Sequence, residues 1–504
     1  MNNKNFNSTV VCWIDFTVMF ILSLFCLLYI SHNGKVFAER NIQFSFLNFP
    51  IFIGEFLLMG CGILFSIRMA LAGIKWNRWI VLLVVFYAFM MIKAVTGYIQ
   101  YGPLALRNAA TFYYFTFAVI SYYCYRSEFF KWWVILVYAG ILQWVLFGGQ
   151  FHDWWLMPRI FIGLVLAYKF PDRRVGFLIA ASVLLLTPYR YFLDNSRAII
   201  LGNFASVSFL VIACIWTVLE KRRLMTLISS ALIISLFGLY VFHFSGNKYA
   251  QGIVSVDRLQ DLYAEIDAII QERKSRFKSM EISTVQIYHP ETAPEIQEVP
   301  SPEPASDSGG NQDSFHANNA QTNDEPAVTQ IKKDFKDDPE RNKLIREMKI
   351  GNSVFRLLIW RDAKKEILDK KPVFGFDFGK PFRSESLEIV RWGMDDWARD
   401  GWIAMHNSYL EIIYRAGVLG VSFIVLIWSV FVYISGIFVR KKSVVGLLLC
   451  ACLLVPLTAA YFSVSFELPC AAIPIWTLYG FILAYAHREL NKSQIVTDCN
   501  DRTV

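Results

Sequence analysis

Apolar runs long enough to cross a bilayer recur along most of the chain, and one long polar stretch interrupts them. A helix needs roughly 20 apolar residues to span the hydrocarbon core. Runs of about this length, about twelve in all, lie near 10–31, 50–73, 78–98, 109–125, 129–149, 154–170, 174–189, 198–219, 223–245, 412–439, 443–464 and 470–487. The pattern predicts an all-α polytopic membrane protein with about 12 transmembrane helices.

The polar stretch divides the predicted fold into four parts. Residues 1–245 form an N-terminal membrane domain of about nine spans, and 409–487 a C-terminal membrane domain of about three. The large loop 246–408 joins them, and a polar tail follows from 488 to 504.

Composition agrees with this interpretation. The chain is 55% hydrophobic and 16% aromatic, with a mean hydropathy of +0.40, which excludes an ordinary soluble domain. Its nine cysteines lie in the predicted spans or the tail, so no disulfide framework is expected in the loop. No zinc, P-loop or Rossmann spacing is present, and no cofactor or metal is expected.

The distribution of basic residues predicts the orientation. Clusters of lysine and arginine lie in the turn after the second predicted span and in every second turn from there. Their members are Arg68, Lys75, Arg78, Arg126, Lys131, Lys169, Arg173, Arg174, Lys221, Arg222, Arg223, Arg440, Lys441 and Lys442. The positive-inside rule then places both termini in the cytoplasm and the large loop outside. The net charge of +8 reflects this topology, and we expect membrane lipids rather than nucleic acid as partners.

The large loop changes composition along its length. Residues 252–278 have the apolar periodicity of an amphipathic helix. Residues 279–331 contain no lysine or arginine and are rich in proline and small polar residues, which predicts a disordered insertion. Residues 352–370 have the pattern of a helix, and Pro372 and Gly375 shortly after them predict that it ends there.

Arg356 has an unusual position on this last helix. It falls in the middle of the face that carries Phe355, Ile359 and Ala363, whereas Arg361 lies about 140° away on the polar side. An arginine on an apolar face needs a partner, because burying it unpaired costs several kcal/mol. Arg356 is therefore a candidate binding residue, and Arg361 solvates the helix.

The loop re-enters apolar sequence through His406-Asn407-Ser408-Tyr409-Leu410-Glu411, followed by Gly417 and Gly420. His406 shares one helix face with both glycines, which would allow another helix to approach closely. This predicts either a site at the membrane boundary or a packing seam with an interfacial histidine. Glu411 and Arg415 are spaced to neutralise each other, and Glu467 in the last external turn either contacts this region or caps a helix.

Three further arginines precede predicted spans on the external side: Arg197, Arg107 and Arg190. Asp194-Asn195-Ser196 precedes Arg197 and can cap a helix start. A cation in the first turn opposes the helix dipole, so Arg197 is explained there if it binds an anion. The alternative for all three is contact with lipid headgroups, and for Arg197 also an ion pair with Asp194.

In combination these features resemble the O-antigen ligase superfamily. The resemblance rests on the string HNSYLEIIYRAGVLG, the Ser196-Arg197 pair, the Arg356-x-x-x-Trp360 helix, and the large external loop before the histidine. It covers most of the chain from about 100 to 487, and the insertion 279–331 departs from it.

The resemblance implies a GT-C-like, metal-independent inverting glycosyltransferase of the bacterial inner membrane, with the large loop in the periplasm. The donor would be a glycan on undecaprenyl diphosphate, and the acceptor lipid A-core or a growing polysaccharide. His406 and Asn407 would be catalytic, with His406 as general base; Arg197 and Arg356, and with them Arg107 and Arg190, would bind the diphosphate.

Alternatives within the superfamily are a polysaccharide polymerase and a protein O-oligosaccharyltransferase, and the shared motif does not separate these from a ligase. The His-Asn string and the single large loop before it look most like the ligase branch. A polyprenol-glycan transporter would show internal repeats and polar residues near the bilayer midplane; no repeat is evident. A membrane scaffold would explain the insertion but not Arg356.

Overall fold

The computed structural model describes residues 3–30, 37, 40–44, 49–73, 78–126, 156–169, 197–218, 351–390 and 404–500, with a few single residues elsewhere. Its elements are α1 (Asn3–Ile30), β1 (Asn41–Phe44), β2 (Phe49–Phe52), α2 (Ile53–Ala72), α3 (Arg78–Tyr101), α4 (Leu104–Tyr113), α5 (Thr116–Cys124), α6 (Leu156–Lys169), α7 (Arg197–Val218), α8 (Gly351–Lys370), α9 (Glu385–Val390), α10 (Ser408–Arg440), α11 (Val444–Ala459) and α12 (Pro469–Asn500).

The described chain is that of a mainly helical membrane protein. Five of its helices contain segments long and apolar enough to cross a membrane: Ser8–Tyr29, Ile53–Ala72, Val81–Tyr101, Ser408–Arg440 and Pro469–Asn491. Shorter apolar helices lie at Leu201–Ala213 and Val444–Ala459. The predicted spans 129–149 and 223–245, most of 174–189 and of the amphipathic segment 252–278, and the insertion 279–331 lie outside the described residues.

Two local features differ from the expected pattern. A short antiparallel hairpin, β1–β2, precedes α2, whereas the other elements that the structure describes are helices. The predicted span 109–125 is also wrong in its bounds, because the chain is helical from Leu104 and is interrupted at Tyr114 and Phe115. There the amides of Phe115 and Phe117 bond three residues back, to Phe112 and Tyr114, so a tightened turn separates α4 from α5.

Helix α12 has the most enclosed position among the candidate spans. The apolar segment of α12 is 83% buried, against 11% for that of α2. Gly480 allows the backbone of α5 to approach, since a Cβ atom there would collide with the carbonyl of Ala118. The fully buried Trp476 fills the neighbouring space, with its ring 5.0 Å from that of Phe115. Helix α12 therefore forms the centre of the packed helices.

The chain divides into two compact units. The first contains residues 1–255, 359–384 and 393–504, and the second contains 256–358 and 385–392. The membrane helices and the segment around His406 belong to the first unit, whereas Arg356 belongs to the second.

Candidate functional site

His406 has a strained backbone conformation directly before α10. Its φ angle is 49°, in the left-handed region that non-glycine residues seldom adopt. The chain is fixed on both sides: Trp360 Nε1 donates to the carbonyl of Met405 at 2.8 Å, and the amide of Ser408 donates to the carbonyl of Ala460 at 2.9 Å. Such strain persists only where the surroundings enforce it, and it concentrates at functional sites.

Asn407 caps the first turn of α10. Its backbone is extended, with φ −155°, and its Oδ1 accepts from the amide of Leu410 at 3.0 Å. The amide of Glu411 also donates to the Asn407 carbonyl at 3.0 Å. This N-cap satisfies an amide that the helix leaves without a partner. The role predicted for Asn407 in orienting His406 or a sugar stays a prediction, and the Nδ2 group would serve it.

Ser408 connects the start of α10 to the segment between α11 and α12. Its buried Oγ accepts from the amides of Ser465, at 2.8 Å, and Phe466, at 3.1 Å. It also lies 2.7 Å from Oε2 of Glu467 and 3.1 Å from the carbonyl of Ser463. Glu467 therefore contacts the His406 segment directly, through the Ser408 hydroxyl. Its alternative predicted role, capping the last helix, stays a prediction.

A buried ion pair lies one turn further along α10. Arg415 Nε is 2.8 Å from Glu411 Oε1, and the side chains are only 3% and 7% exposed. Arg415 Nη1 also donates to the carbonyls of Asp377 and Lys380, and Asn108 Nδ2 donates to Glu411 at 3.3 Å. The predicted neutralisation of Glu411 by Arg415 is confirmed, and it occurs in the interior of the protein.

Arg107 lies close enough to Glu411 and Glu467 to interact electrostatically with both carboxyl groups. It is partly exposed on α4, where burial lowers the pKa of its guanidinium and the charges of Glu411 and Glu467 oppose that fall. Burial and the charge of Glu411 raise the pKa of Glu467 to about 8, although the hydrogen bond from Ser408 and the charge of Arg107 oppose the rise. Arg107 thus interacts with two acids of the segments next to His406, and its predicted role in binding a diphosphate stays a prediction.

Gly417 and Gly420 were predicted to allow another helix to approach closely, and this prediction is wrong. Gly417 is not helical, with φ 56° and ψ −128°, and it kinks α10 between two helical parts. A Cβ atom on Gly417 would collide with the carbonyl of Val373, and one on Gly420 with the carbonyl of Ile412 in the same helix. The glycines therefore accommodate a loop and a kink rather than a second helix.

The segment after α8 is bound to this kink. The amide of Val418 donates to the Val373 carbonyl at 2.9 Å, and the amide of Phe376 to the Tyr414 carbonyl at 2.8 Å. Tyr414 Oη donates in turn to Glu366 Oε2 on α8 at 2.7 Å. Backbone and side-chain bonds therefore fix the first part of α10, which begins next to His406, against the loop segment.

Another network holds α8 to the segment that follows it. Burial of Glu366 opposes its ionisation, but hydrogen bonds from Lys370, Tyr414 and Lys380 outweigh it and lower the pKa of Glu366 to about 2. The carboxylate is therefore charged at any physiological pH. Its contacts link α8, the segment around Lys380 and the first part of α10.

Two of the other predicted arginines, Arg356 and Arg197, lie on described helices. The predicted helix 352–370 is confirmed as Gly351–Lys370, where Arg356 is partly buried on the same helix as the buried Phe355 and Leu358. Helix α7 begins at Arg197, as expected for the first turn of a span, but the position of its side chain lies outside the described part, as does Arg190.

The sequence pattern did not predict the roles of Asn108 and Ser408. Both act through hydrogen bonds to segments distant in sequence, and such contacts leave no periodic pattern of residues. Asn108 accepts from the amide of Gly379 at 2.8 Å while it donates to Glu411, and Ser408 joins two segments that are distant in sequence. Within the described ranges, no group of three or more His, Cys, Asp or Glu side chains is arranged to hold a metal ion. The expectation of a metal-independent reaction stays a prediction.

No protein-family model matches the chain, and a comparison with curated proteins gives no match.

Proposed function

We propose that this protein is a membrane glycosyltransferase that transfers a glycan from undecaprenyl diphosphate to an acceptor at the external face of the membrane. Its activity is that of an O-antigen ligase, with lipid A-core as acceptor. The observation that carries the proposal is the strained, doubly anchored His406 at the start of a membrane helix. The string around it is the most specific part of the resemblance to the O-antigen ligase superfamily.

Histidine suits the proton transfer that this reaction requires. An acceptor hydroxyl becomes a better nucleophile as its proton leaves, and an imidazole titrates near neutral pH. In this proposal His406 takes that proton, or holds the hydroxyl in line, while the hydroxyl attacks the anomeric carbon from the side opposite the diphosphate. The new glycosidic bond forms as the bond to the diphosphate breaks, which inverts the configuration.

Arginines suit the other half of the reaction, because the leaving diphosphate gains negative charge in the transition state. Arg107 supports this assignment through its partly exposed position and its interactions with Glu411 and Glu467 beside the His406 segment. We assign Arg197, Arg356 and Arg190 the same role on the resemblance alone.

The orientation belongs to the same proposal. Cytoplasmic termini, a periplasmic loop and a bacterial inner membrane follow from the positive-inside pattern and from the undecaprenyl donor. A polymerase acting on lipid-linked repeats, or a protein O-oligosaccharyltransferase, would use the same residues with a different acceptor.

Glycan profiling of a deletion strain tests the proposal. We expect the loss of long-chain lipopolysaccharide and the accumulation of finished polymer on the lipid carrier, with rescue by the wild-type gene and none by His406→Ala. Single repeat units on the carrier would instead indicate a polymerase. Full rescue by His406→Ala would contradict the catalytic assignment and favour a transporter.

A further inference from the structure

Three aromatic side chains with exposed surface lie on both sides of the His406 segment, and the reaction described so far gives them no role. Trp360 and Phe462 are partly exposed, and Tyr461 is 39% exposed. Trp360 lies on α8, whereas Tyr461 and Phe462 lie in the turn directly after α11. These three side chains are called the aromatic surface below.

Trp360 and Phe462 lie beside the residue that precedes His406. The indole Nε1 of Trp360 donates to the Met405 carbonyl at 2.8 Å, which fixes the orientation of the ring. The ring centroid of Phe462 is 6.1 Å from that of Trp360, so the two side chains contact each other. The pair therefore forms one continuous apolar surface beside the backbone of the partly exposed His406.

Tyr461 lies beside the residues that follow the histidine. The amide of Ser408 donates to the carbonyl of Ala460 at 2.9 Å, and Tyr461 follows Ala460 directly. One face of the Tyr461 ring packs on the buried Tyr409, with the ring centroids 4.1 Å apart. Tyr409 is held in turn, because its hydroxyl donates to the Leu457 carbonyl at 2.9 Å. The exposed part of Tyr461 is therefore the other face and the edge of a ring whose orientation is fixed.

A fixed aromatic ring with one exposed face is suited to contact with a sugar ring. One face of a pyranose carries mainly C–H groups, whose hydrogens bear a partial positive charge, and the face of an aromatic ring is electronegative. Ligand sites combine such apolar surfaces with a few polar groups that fix orientation. Asn407 supplies a polar group here, because its Oδ1 caps α10 and its Nδ2 is left as a donor for a ligand hydroxyl.

Exposed tyrosine and tryptophan side chains also occur where a helix crosses the membrane boundary, and there they anchor the helix. Anchoring requires only that a ring is exposed. The aromatic surface has a further property, since the Met405 carbonyl and the Tyr409 ring fix two of its rings beside one histidine. This arrangement indicates a ligand that has to be oriented at His406.

We propose that Trp360, Tyr461 and Phe462 bind a sugar ring of the acceptor and hold its hydroxyl at His406. The inference rests on the proposed function, because that function supplies a saccharide acceptor and assigns its hydroxyl to His406. The three side chains carry no charge, so they offer nothing to the diphosphate of the donor. They bind the acceptor and take no part in proton transfer.

The test is steady-state transfer by the purified full-length chain in nanodiscs, with lipid A-core as acceptor. Tyr461→Phe keeps the aromatic ring, whereas Tyr461→Leu keeps an apolar side chain without a ring. We expect Tyr461→Leu to raise the KM for the acceptor about tenfold and to leave the KM for the donor unchanged. Tyr461→Phe should behave as the wild type. Tyr433→Leu, at a position on α10 that is 62% exposed, is the matched control and should also behave as the wild type.

The comparison of leucine with phenylalanine separates a sugar platform from plain packing. Wild-type acceptor KM in both variants would overturn the inference, and so would an equal rise in both, which would assign the effect to the hydroxyl. A rise in the donor KM instead would assign the surface to the isoprenoid chain and overturn the acceptor assignment. Phe462→Leu and Phe462→Tyr make the same comparison at a second position if Tyr461→Leu does not fold.

A binding measurement separates this inference from the proposed function. Saturation-transfer NMR uses the delipidated core oligosaccharide as the probe and the same proteins in nanodiscs. Saturation should reach the sugar C–H protons from the wild type and Tyr461→Phe, and fall strongly in Tyr461→Leu. That result without any transfer activity would support the sugar surface and overturn the transferase. Transfer without saturation from the wild type would overturn the sugar surface alone, and the absence of both would overturn both.

Discussion

Arg415 and Glu411 form an ion pair inside the protein, one helical turn apart on α10, with Arg415 Nε 2.8 Å from Glu411 Oε1. The pair lies between Asn108 on α4 and the carbonyls of Asp377 and Lys380 after α8. It therefore joins three segments around the start of the helix that follows His406. The junction therefore fixes the first part of α10, which begins two residues after His406.

Removing one member of the pair should destabilise the protein strongly. Glu411→Gln or Arg415→Met leaves a buried charge without its counter-ion, which costs about 3–5 kcal/mol. We expect both to lower the midpoint of thermal unfolding in detergent, and the double variant to lose less than the two losses combined. Lys364→Met, at an exposed position on α8, is the control and should be close to wild type. Additive losses would show that the two residues do not interact.

Gly417 should not tolerate a side chain, although it lies within a membrane helix. Its φ of 56° is a glycine conformation, and a Cβ atom would collide with the Val373 carbonyl. We expect Gly417→Ala to cost about 1–3 kcal/mol for the backbone alone, with the collision added to it. Gly436→Ala on the same helix meets no atom within 4 Å and should be neutral or stabilising. Equal unfolding midpoints for the two variants would contradict the kink.

Lys93 should act as a structural residue rather than a substrate ligand. Its ammonium group donates to the carbonyls of Phe374 at 2.6 Å, Phe376 at 3.1 Å and Arg415 at 2.7 Å, so it ties α3 to the kink. We expect Lys93→Met to cost about 1–3 kcal/mol, because these carbonyls lose a charged donor. Lys441→Met, exposed at the far end of α10, should leave the unfolding midpoint unchanged. An unaffected Lys93→Met would contradict this role.

Asn407 offers a way to separate capping from catalysis. Asn407→Ala removes the bond to the Leu410 amide and should cost about 0.5–2 kcal/mol. Asn407→Ser retains an oxygen at the cap and should restore the unfolding midpoint. If transfer activity returns with the midpoint, Asn407 acts through the helix start alone. If the stable Asn407→Ser protein remains inactive, the predicted catalytic role is supported.

The sequence predicted the parts of this architecture that have a repeating pattern. Apolar runs identified the five candidate spans, and the four-residue spacing of Glu411 and Arg415 predicted their pairing. Helix α8 was predicted to within one residue at its start and correctly at its end. The end was predictable because Pro372 and Gly375 mark the turn that follows it.

The site itself depends on contacts between distant segments, which have no periodic signal. Ser408 and Glu467 lie 59 positions apart, and Asn108 is about 300 positions from Glu411. The kink at Gly417 also escaped prediction, since a glycine in an apolar run resembles a helix-packing residue until its φ angle is known. Hydrophobic periodicity therefore located the helices but not the polar network that joins them.

The most direct test of the proposed function is glycan transfer by the purified protein in vesicles, comparing wild type with His406→Asn. Asparagine adopts the left-handed conformation that residue 406 requires, so this variant should keep the wild-type unfolding midpoint while it lacks the imidazole. With an undecaprenyl-diphosphate glycan and lipid A-core, we expect transfer by the wild type and a loss of at least about 100-fold in the variant. A stable His406→Asn protein that transfers glycan at the wild-type rate would contradict the account.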